Sequence, residues 1–313
     1  MAEPTTSHYP DDEIDLRELF ATLWRGKWII LLFTVVFAAA GVAYALSKPN
    51  IYQASVLLAP AQGEGGGASI GGQLGGLASL AGISLGGGGG GKTTMAKEVL
   101  QSRAFLTNFI HRHNLNVPLM ATKGWDMAKD QWVINEEVYS LKTGEWLTNE
   151  DGKSLKPTDW DLVKRLKESL IVSGDKGTGM ITLSIKSQSP SEAQDWAGKL
   201  VNDINEHMRK QDVKEAEARI AYLEQKLSET NIAGMQQVFY QLIESETRTV
   251  MLANAQNEYV FKTIDPAVVP QEKSEPKRAL ICVVATMLGG MLGIFTVFVI
   301  AFVRSGKTEQ EKG

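Results

Sequence analysis

Residues 28–46, WIILLFTVVFAAAGVAYAL, hold no charged side chain, and neither do residues 279–303, ALICVVATMLGGMLGIFTVFVIAFV. At about 1.5 Å rise per residue these stretches make helices of about 28 and 37 Å, enough to cross a hydrocarbon layer of about 30 Å. Two crossings return the chain to its starting side. Both termini therefore share one compartment, and the central segment, residues 47–278, faces the other.

Working outward, the first span is read as retained. Ala43-Tyr44-Ala45 has the small-x-small look of a cleavage site, but the preceding 27 residues carry Asp11, Asp12, Glu13, Asp15 and Glu18. A signal peptide has a short basic n-region and a shorter apolar core. Arg25 and Lys27 precede the first span, and Arg304, Lys307 and Lys312 follow the second. Lys48, Lys277 and Arg278 lie on the other side. The balance places residues 1–27 and 304–313 in the cytoplasm.

The net charge of the 313-residue chain is −4, with no basic run of the kind that binds nucleic acid. The single cysteine, Cys282, falls in the second span, so no disulfide is expected in the central segment. That segment is long enough for one real core.

Before the first span, Ile14, Leu16, Leu19, Phe20, Leu23 and Trp24 recur near helical spacing. They read either as an amphipathic helix lying on the membrane surface or as a plain extension of the span. Past the span, Tyr52 to Leu58 reads as a strand ended by Pro60. Residues 63–91 are a Gly-rich loop. Helix is expected from Thr93 or Thr94, with Met95, Val99, Leu100, Phe105, Leu106, Phe109 and Ile110 on its buried side. Turn signals at Lys142-Thr143-Gly144 and Glu150-Asp151-Gly152 suggest short hairpins. Residues 159–170 read as helix, and 170–172 and 180–185 as strands joined by a glycine turn. Tyr259 to Ile264 reads as a last strand.

Between these lies a long helix, about 190–254. Ser189 as N-cap, Pro190 at the first position and Glu192 three residues past the cap mark its start. Ala197, Leu200, Val201, Ile204 and Met208 form one apolar face. From Val213 the spacing tightens to Val213, Ala216, Ile220, Leu223 and Leu227, a short coiled-coil-like seam. Asn231 and Gly234 interrupt it. A helix of about 60 Å exceeds the about 30–40 Å breadth of such a domain, so it must project. Its seam needs a partner, either its own C-terminal half folded back or a neighbouring copy; self-association is the expectation.

Gly86 to Thr93, GGGGGGKT, satisfies the phosphate-loop pattern with Lys92 and Thr93 in the functional positions. The match is compositional. The preceding LASLAGISL is no buried strand, and Asp175, in a glycine turn, is no convincing metal ligand. His111 and His113 are two apart and point different ways on a helix. His207 reads as a packed or surface histidine. No nucleophile, base and orienting group stand together, so no catalytic, cofactor or metal site is expected. Trp125, Trp132, Trp146 and Trp160 are placed as core anchors rather than sugar-stacking platforms.

In the second span Ala285, Gly289 and Gly293 stand four apart on one face, the spacing that lets helices approach closely in lipid. The partner is the first span (Ala38, Ala39, Gly41), another copy, or a different membrane protein. Ahead of them Pro266, Pro270 and Pro276 make a stiff lead into the membrane.

Together these features resemble the Wzz-type polysaccharide co-polymerases, the chain-length determinants of surface polysaccharide assembly. The resemblance rests on EIDLRELFATLWRGKW, YQASVLLAP, GGLASLAGISLGGG before a helix, NIAGMQQVFYQLIES, and ANAQNEYVFKTIDPAVVPQEKSEPKRAL entering a Gly-rich span. The prolines with Gly289 and Gly293 match the family's motif, whereas the extreme glycine run ending at Lys92 departs from it. The resemblance implies an α+β integral membrane protein, with two transmembrane helices flanking a periplasmic α/β base domain that carries a long protruding helix. It implies a bell-like inner-membrane homo-oligomer of about eight subunits. It also implies a non-enzymatic role: acting with an inner-membrane polymerase on growing polysaccharide to set the modal length of lipopolysaccharide O-antigen.

One rival reading is an adaptor for a cytoplasmic tyrosine kinase in capsule or exopolysaccharide assembly; the ten residues after Val303 contain no tyrosine. The others are a membrane-anchored NTPase and a scaffold for an unrelated partner.

Overall fold

A computed structural model describes residues 16–61, 90–175 and 177–310. The chain divides into two compact units, one made of residues 1–50 with 275–313 and one of residues 51–274.

The first unit is helical. Helix α1 (Leu16–Arg25) meets α2 (Lys27–Ser47) at Gly26, and α9 (Arg278–Gln310) completes the unit. Lys27–Ser47 and Arg278–Val303 are long and apolar enough to cross a membrane. Phe20 and Trp24 stack on the exposed face of α1 with ring centroids 6.3 Å apart. Ile14 lies outside the described residues.

The second unit is built on a four-stranded antiparallel sheet in the order β6-β7-β1-β8. Its strands are β1 (Tyr52–Pro60), β6 (Leu170–Gly174), β7 (Ile181–Ser187) and β8 (Phe261–Asp265). Registers run Tyr52↔Ser187 to Leu58↔Ile181 and Pro60↔Phe261. Tyr52, Ala54, Val56 and Leu58 of β1 and Ile181, Leu183 and Ile185 of β7 are buried. Alternation puts each set on one face of its strand. Helix α7 (Pro190–Glu229) covers that face with Ala193, Trp196, Ala197, Leu200, Val201, Ile204 and Met208.

The same core takes in α3 (Gly90–Leu100), α4 (Arg103–Arg112), α5 (Asn116–Met120) and α6 (Asp159–Ser169). The sequence reading of one helix through 93–110 is corrected to two. Ser102 stops α3 and caps α4, its hydroxyl accepting the Phe105 N–H at 3.3 Å. The break turns the buried side, so Ala96 and Leu100 are covered while Met95 is 49% exposed. Two hairpins lie between, β2 (Thr122–Asp126) with β3 (Gln131–Ile134), and β4 (Tyr139–Ser140) with β5 (Glu145–Trp146). Gly144 and Gly152 turn at φ +70° and +74°, which glycine adopts without a side-chain clash.

The long helix expected at about 190–254 is two helices. α7 ends at Glu229, residues 230–232 are extended or irregular, and α8 (Ala233–Ala255) runs back along it. Trp160 is corrected as well: it is 63% exposed on α6, with the Arg103 guanidinium 5.4 Å over its ring. Trp125 and Trp132 pair edge-to-face across the β2–β3 hairpin at 5.0 Å.

Candidate functional site

Among the described residues no group of His, Cys, Asp and Glu could hold a metal ion. The densest polar cluster joins α4 to α7 around a cavity of about 170 Å³ floored by Phe105 and Phe109. Its charges answer one another. Arg112 donates to Asp203 at 3.1 Å and to Glu206 at 2.8 Å, and His113 pairs with Asp203 at 3.0 Å. The charge of Asp203 and the hydrogen bond to Glu206 hold Arg112 above its ordinary pKa. The Lys210 hydrogen bond, with Arg112, holds Glu206 below its own. His111 turns away to Asp159 at 2.9 Å, and exposed His207 sets its ring edge-on to Phe105 at 5.6 Å. The cluster fastens α4 to the long helix.

The phosphate-loop pattern ends in a contact that occupies its lysine. Gly86–Gly89 lie outside the described residues, but Lys92 Nζ sits 2.7 Å from Asp212 Oδ2 on α7 and 5.4 Å over the Tyr259 ring. The Tyr259 hydroxyl donates to the same carboxylate oxygen at 2.6 Å. Burial pulls the Lys92 ammonium down, and Asp212 outweighs that, leaving its pKa above the ordinary value. Burial, reinforced by Asp212, pushes the Tyr259 phenol up. Asp175 accepts the Gly177 N–H at 2.8 Å and holds its own turn.

Two surfaces remain. The first is the seam between the spans. Gly41, Gly289 and Gly293 are buried there. A methyl group on Gly289 would stand 2.7 Å from Phe37 Cβ and 2.9 Å from the Phe33 carbonyl oxygen; one on Gly293 would stand 2.8 Å from Ile30 Cα. A methyl on Gly41 would meet Ala285 Cβ at 2.5 Å. The structure thus brings Ala285, Gly289 and Gly293 against the first span of the same chain. Of the first-span residues, Gly41 takes part and Ala38 is half-buried, while Ala39 is exposed. Arg278 ties off the same end, donating from Nε to the Ala45 carbonyl at 3.1 Å and from its guanidinium to Asn50 at 3.0 Å. A cation on the last carbonyls of a helix satisfies orphan acceptors and complements the dipole. Pro276 stands two residues before the start of α9, while Pro266 and Pro270 lie in the irregular stretch after β8.

The second surface is the α7–α8 hairpin. Ala216 is buried and Val213, Ile220, Leu223 and Leu227 are partly covered, with α8 as the helix that faces them. On α8 a matching stripe, Gln236, Phe239, Ile243, Glu246, Val250 and Ala253, is the covered one. Arg219 bridges across to Glu246 at 3.0 Å. Of the two partners open to the seam, the chain's own folded-back half occupies it. The stripe one position over, Met235, Val238, Leu242 and Leu252, is 46–54% exposed. Heptad-like spacing on α8 was the missed signal, since the polar Gln236 and Glu246 fall on the stripe itself.

The buried amide of Asn205 escaped the sequence reading. Asn205 on α7 accepts the N–H groups of Val260 and Phe261, each at 2.9 Å, and donates to the Phe261 carbonyl at 2.9 Å. It fixes the start of β8, the strand before the proline lead.

Residues 12–113 match the family model Wzz, chain length determinant protein. Residues 228–302 match GNVR, the G-rich domain on putative tyrosine kinase. A solved full-length bacterial polysaccharide co-polymerase is similar over 93% of this chain and 99% of its own, with 14% identity and a TM-score of 0.38. None of the curated proteins compared matches the chain.

Proposed function

We propose that this chain, a member of the Wzz chain length determinant family with a GNVR domain behind it, sets the modal length of lipopolysaccharide O-antigen. In this reading the termini are cytoplasmic and residues 47–278 are periplasmic. The protein works as an inner-membrane homo-oligomer beside a polymerase that extends lipid-linked units, and it catalyses nothing itself. The Wzz match over residues 12–113 carries the proposal. The paired charges of the α4–α7 cluster and the engagement of Lys92 with Asp212 support a structural role for those residues.

The exposed stripe Met235, Val238, Leu242 and Leu252 is the surface for self-association, because Val213, Ala216, Ile220, Leu223 and Leu227 face α8. An apolar stripe at helical spacing outside a hairpin is the natural seat of a neighbouring helix. The seam residues then act indirectly, by holding α8 in place.

Gel banding of surface polysaccharide from a deletion strain, with and without the gene restored, tests the function. The expected result is loss of a clustered size distribution on deletion and its return on complementation. An unchanged ladder refutes length control of that polymer. The match to a domain found on putative tyrosine kinases favours one second reading, an adaptor for a separate cytoplasmic kinase in capsule or exopolysaccharide assembly. It predicts instead a change in bacterial tyrosine phosphorylation and capsule yield with the O-antigen ladder intact.

A further inference from the structure

Along one side of the paired spans runs an apolar groove of about 440 Å³. Its floor is the close contact of Gly41 with Ala285, flanked by Ala40, and its walls are Phe37 and Tyr44 on α2 and Leu280, Val284 and Leu288 on α9. These residues occupy the C-terminal end of α2 and the N-terminal end of α9, so the groove opens toward the end of the spans where Lys48 and Lys277 lie. Lys48 is exposed, its ammonium 5.0 Å over the Tyr44 ring that forms one wall. Among the described residues it has no carboxylate partner. Lys277 is exposed and stands one turn before Leu280 and Ile281, its carbonyl accepting the Ile281 N–H at 3.2 Å.

We infer that this groove holds one acyl chain of an anionic phospholipid, whose phosphate sits between Lys48 and Lys277. Width argues for a lipid chain. Gly41 and Ala285 touch along the floor and leave a shallow trough open to one side, whereas a helix with side chains is about 10 Å across. An acyl chain is a single file of methylenes and fills such a trough with dispersion contacts on both walls. Charge argues for the headgroup. Two ammonium groups at the mouth match a phosphodiester at headgroup depth, where each basic residue favours anionic lipid by about fivefold. The Tyr44 ring, apolar along its body and polar at its tip, suits the same depth. Arg278 is committed to Ala45 and Asn50 and closes the end of α2 rather than the lipid site.

Photolabelling of the full-length protein in nanodiscs tests this, with diazirine-acyl phosphatidylglycerol compared against diazirine-acyl phosphatidylcholine and labelled peptides mapped. Phosphatidylglycerol should concentrate on peptides carrying Phe37–Tyr44 and Leu280–Leu288, at least fivefold over phosphatidylcholine. Lys48→Gln should reduce that excess about fivefold. Ala40→Trp, which fills the groove, should abolish groove labelling, while Val36→Trp, outside the lining and 55% exposed, should not. Equal labelling of groove and outer faces, or labelling indifferent to Lys48 and Ala40, overturns the site. A disulfide between copies through Ala40→Cys, with the groove shielded from lipid label, would assign it to a helix of a second copy and overturn it likewise.

Discussion

Asn205 shows how much one side chain holds. It satisfies three backbone groups at the start of β8, so Asn205→Leu leaves two N–H groups and a carbonyl unpaired in the core. The loss should be about 3–9 kcal/mol, since each of the three orphaned buried groups costs about 1–3 kcal/mol. Thermal unfolding of the purified protein measures it, and a change under 1 kcal/mol would mean that β8 finds other partners. The Lys92–Asp212–Tyr259 contact makes a pH prediction. Lys92 and Tyr259 both have pKa values raised from ordinary values of 10.5 and 10.0. A raised folded-state pKa contributes stability that is complete below the unfolded value and is lost as pH rises through the folded one. Wild-type stability should therefore fall above about pH 10 more steeply than that of Tyr259→Phe with Lys92→Met. Parallel pH profiles would show the contact to be idle. Glu192 has the same sign in a lower pH window. Burial raises its carboxyl pKa, with the Trp132 and Trp196 indoles near but short of hydrogen-bond geometry. Ionisation thus disfavours the fold as pH climbs from the unfolded to the folded value, and Glu192→Gln should raise the melting temperature at neutral pH but not below pH 4.

At the scale of elements, local chemistry was legible and pairing was not. Ser189, Pro190 and Glu192 announced α7, and the cap appears as read, Ser189 Oγ accepting the Glu192 N–H at 3.0 Å. Period-two burial was plain in YQASVLL. The break at Ser102 was hidden, because a capping serine inside an apolar pattern is told from a helical one only by where its hydroxyl points. The partner of the α7 seam was open for a similar reason: a heptad stripe specifies a facing stripe, not whose it is. Charges at Leu223 and Leu227 should open the hairpin, lowering helical content by circular dichroism. Val238→Glu with Leu242→Glu should leave helicity intact and reduce chemical cross-linking between copies. Unchanged cross-linking would move self-association off the α8 stripe. In the spans, Gly289→Leu with Gly293→Leu forces bulk against Phe37 and Ile30, where the added Cβ is already under 3 Å. Residues 51–274 should still melt cooperatively while polysaccharide banding loses its mode; an unaltered band pattern in a well-expressed variant would separate the seam from length control.

Over the whole molecule, two long charge-free stretches and one sheet-forming segment beside each carried most of what the sequence could say. What it could not say is which cation meets which carbonyl: Lys277 and Arg278 counted only as charges on the wrong side for the orientation rule, whereas Arg278 closes α2. Nor could residue types alone show that Lys92 is spoken for. The pairing of β1 with β8 has a consequence in time. Pro60 and Phe261 are neighbours in the sheet but some 200 residues apart along the chain. At about 5–20 residues per second of synthesis, roughly 10–40 s pass between the appearance of β1 and that of its partner. Throughout that interval the first span stands in the bilayer with its glycine face uncovered, since Gly289 and Gly293 are made later still. The nascent chain therefore passes through a stage in which a lone small-residue helix is open to any neighbour, and self-pairing of the spans waits until Gly289 and Gly293 have been made.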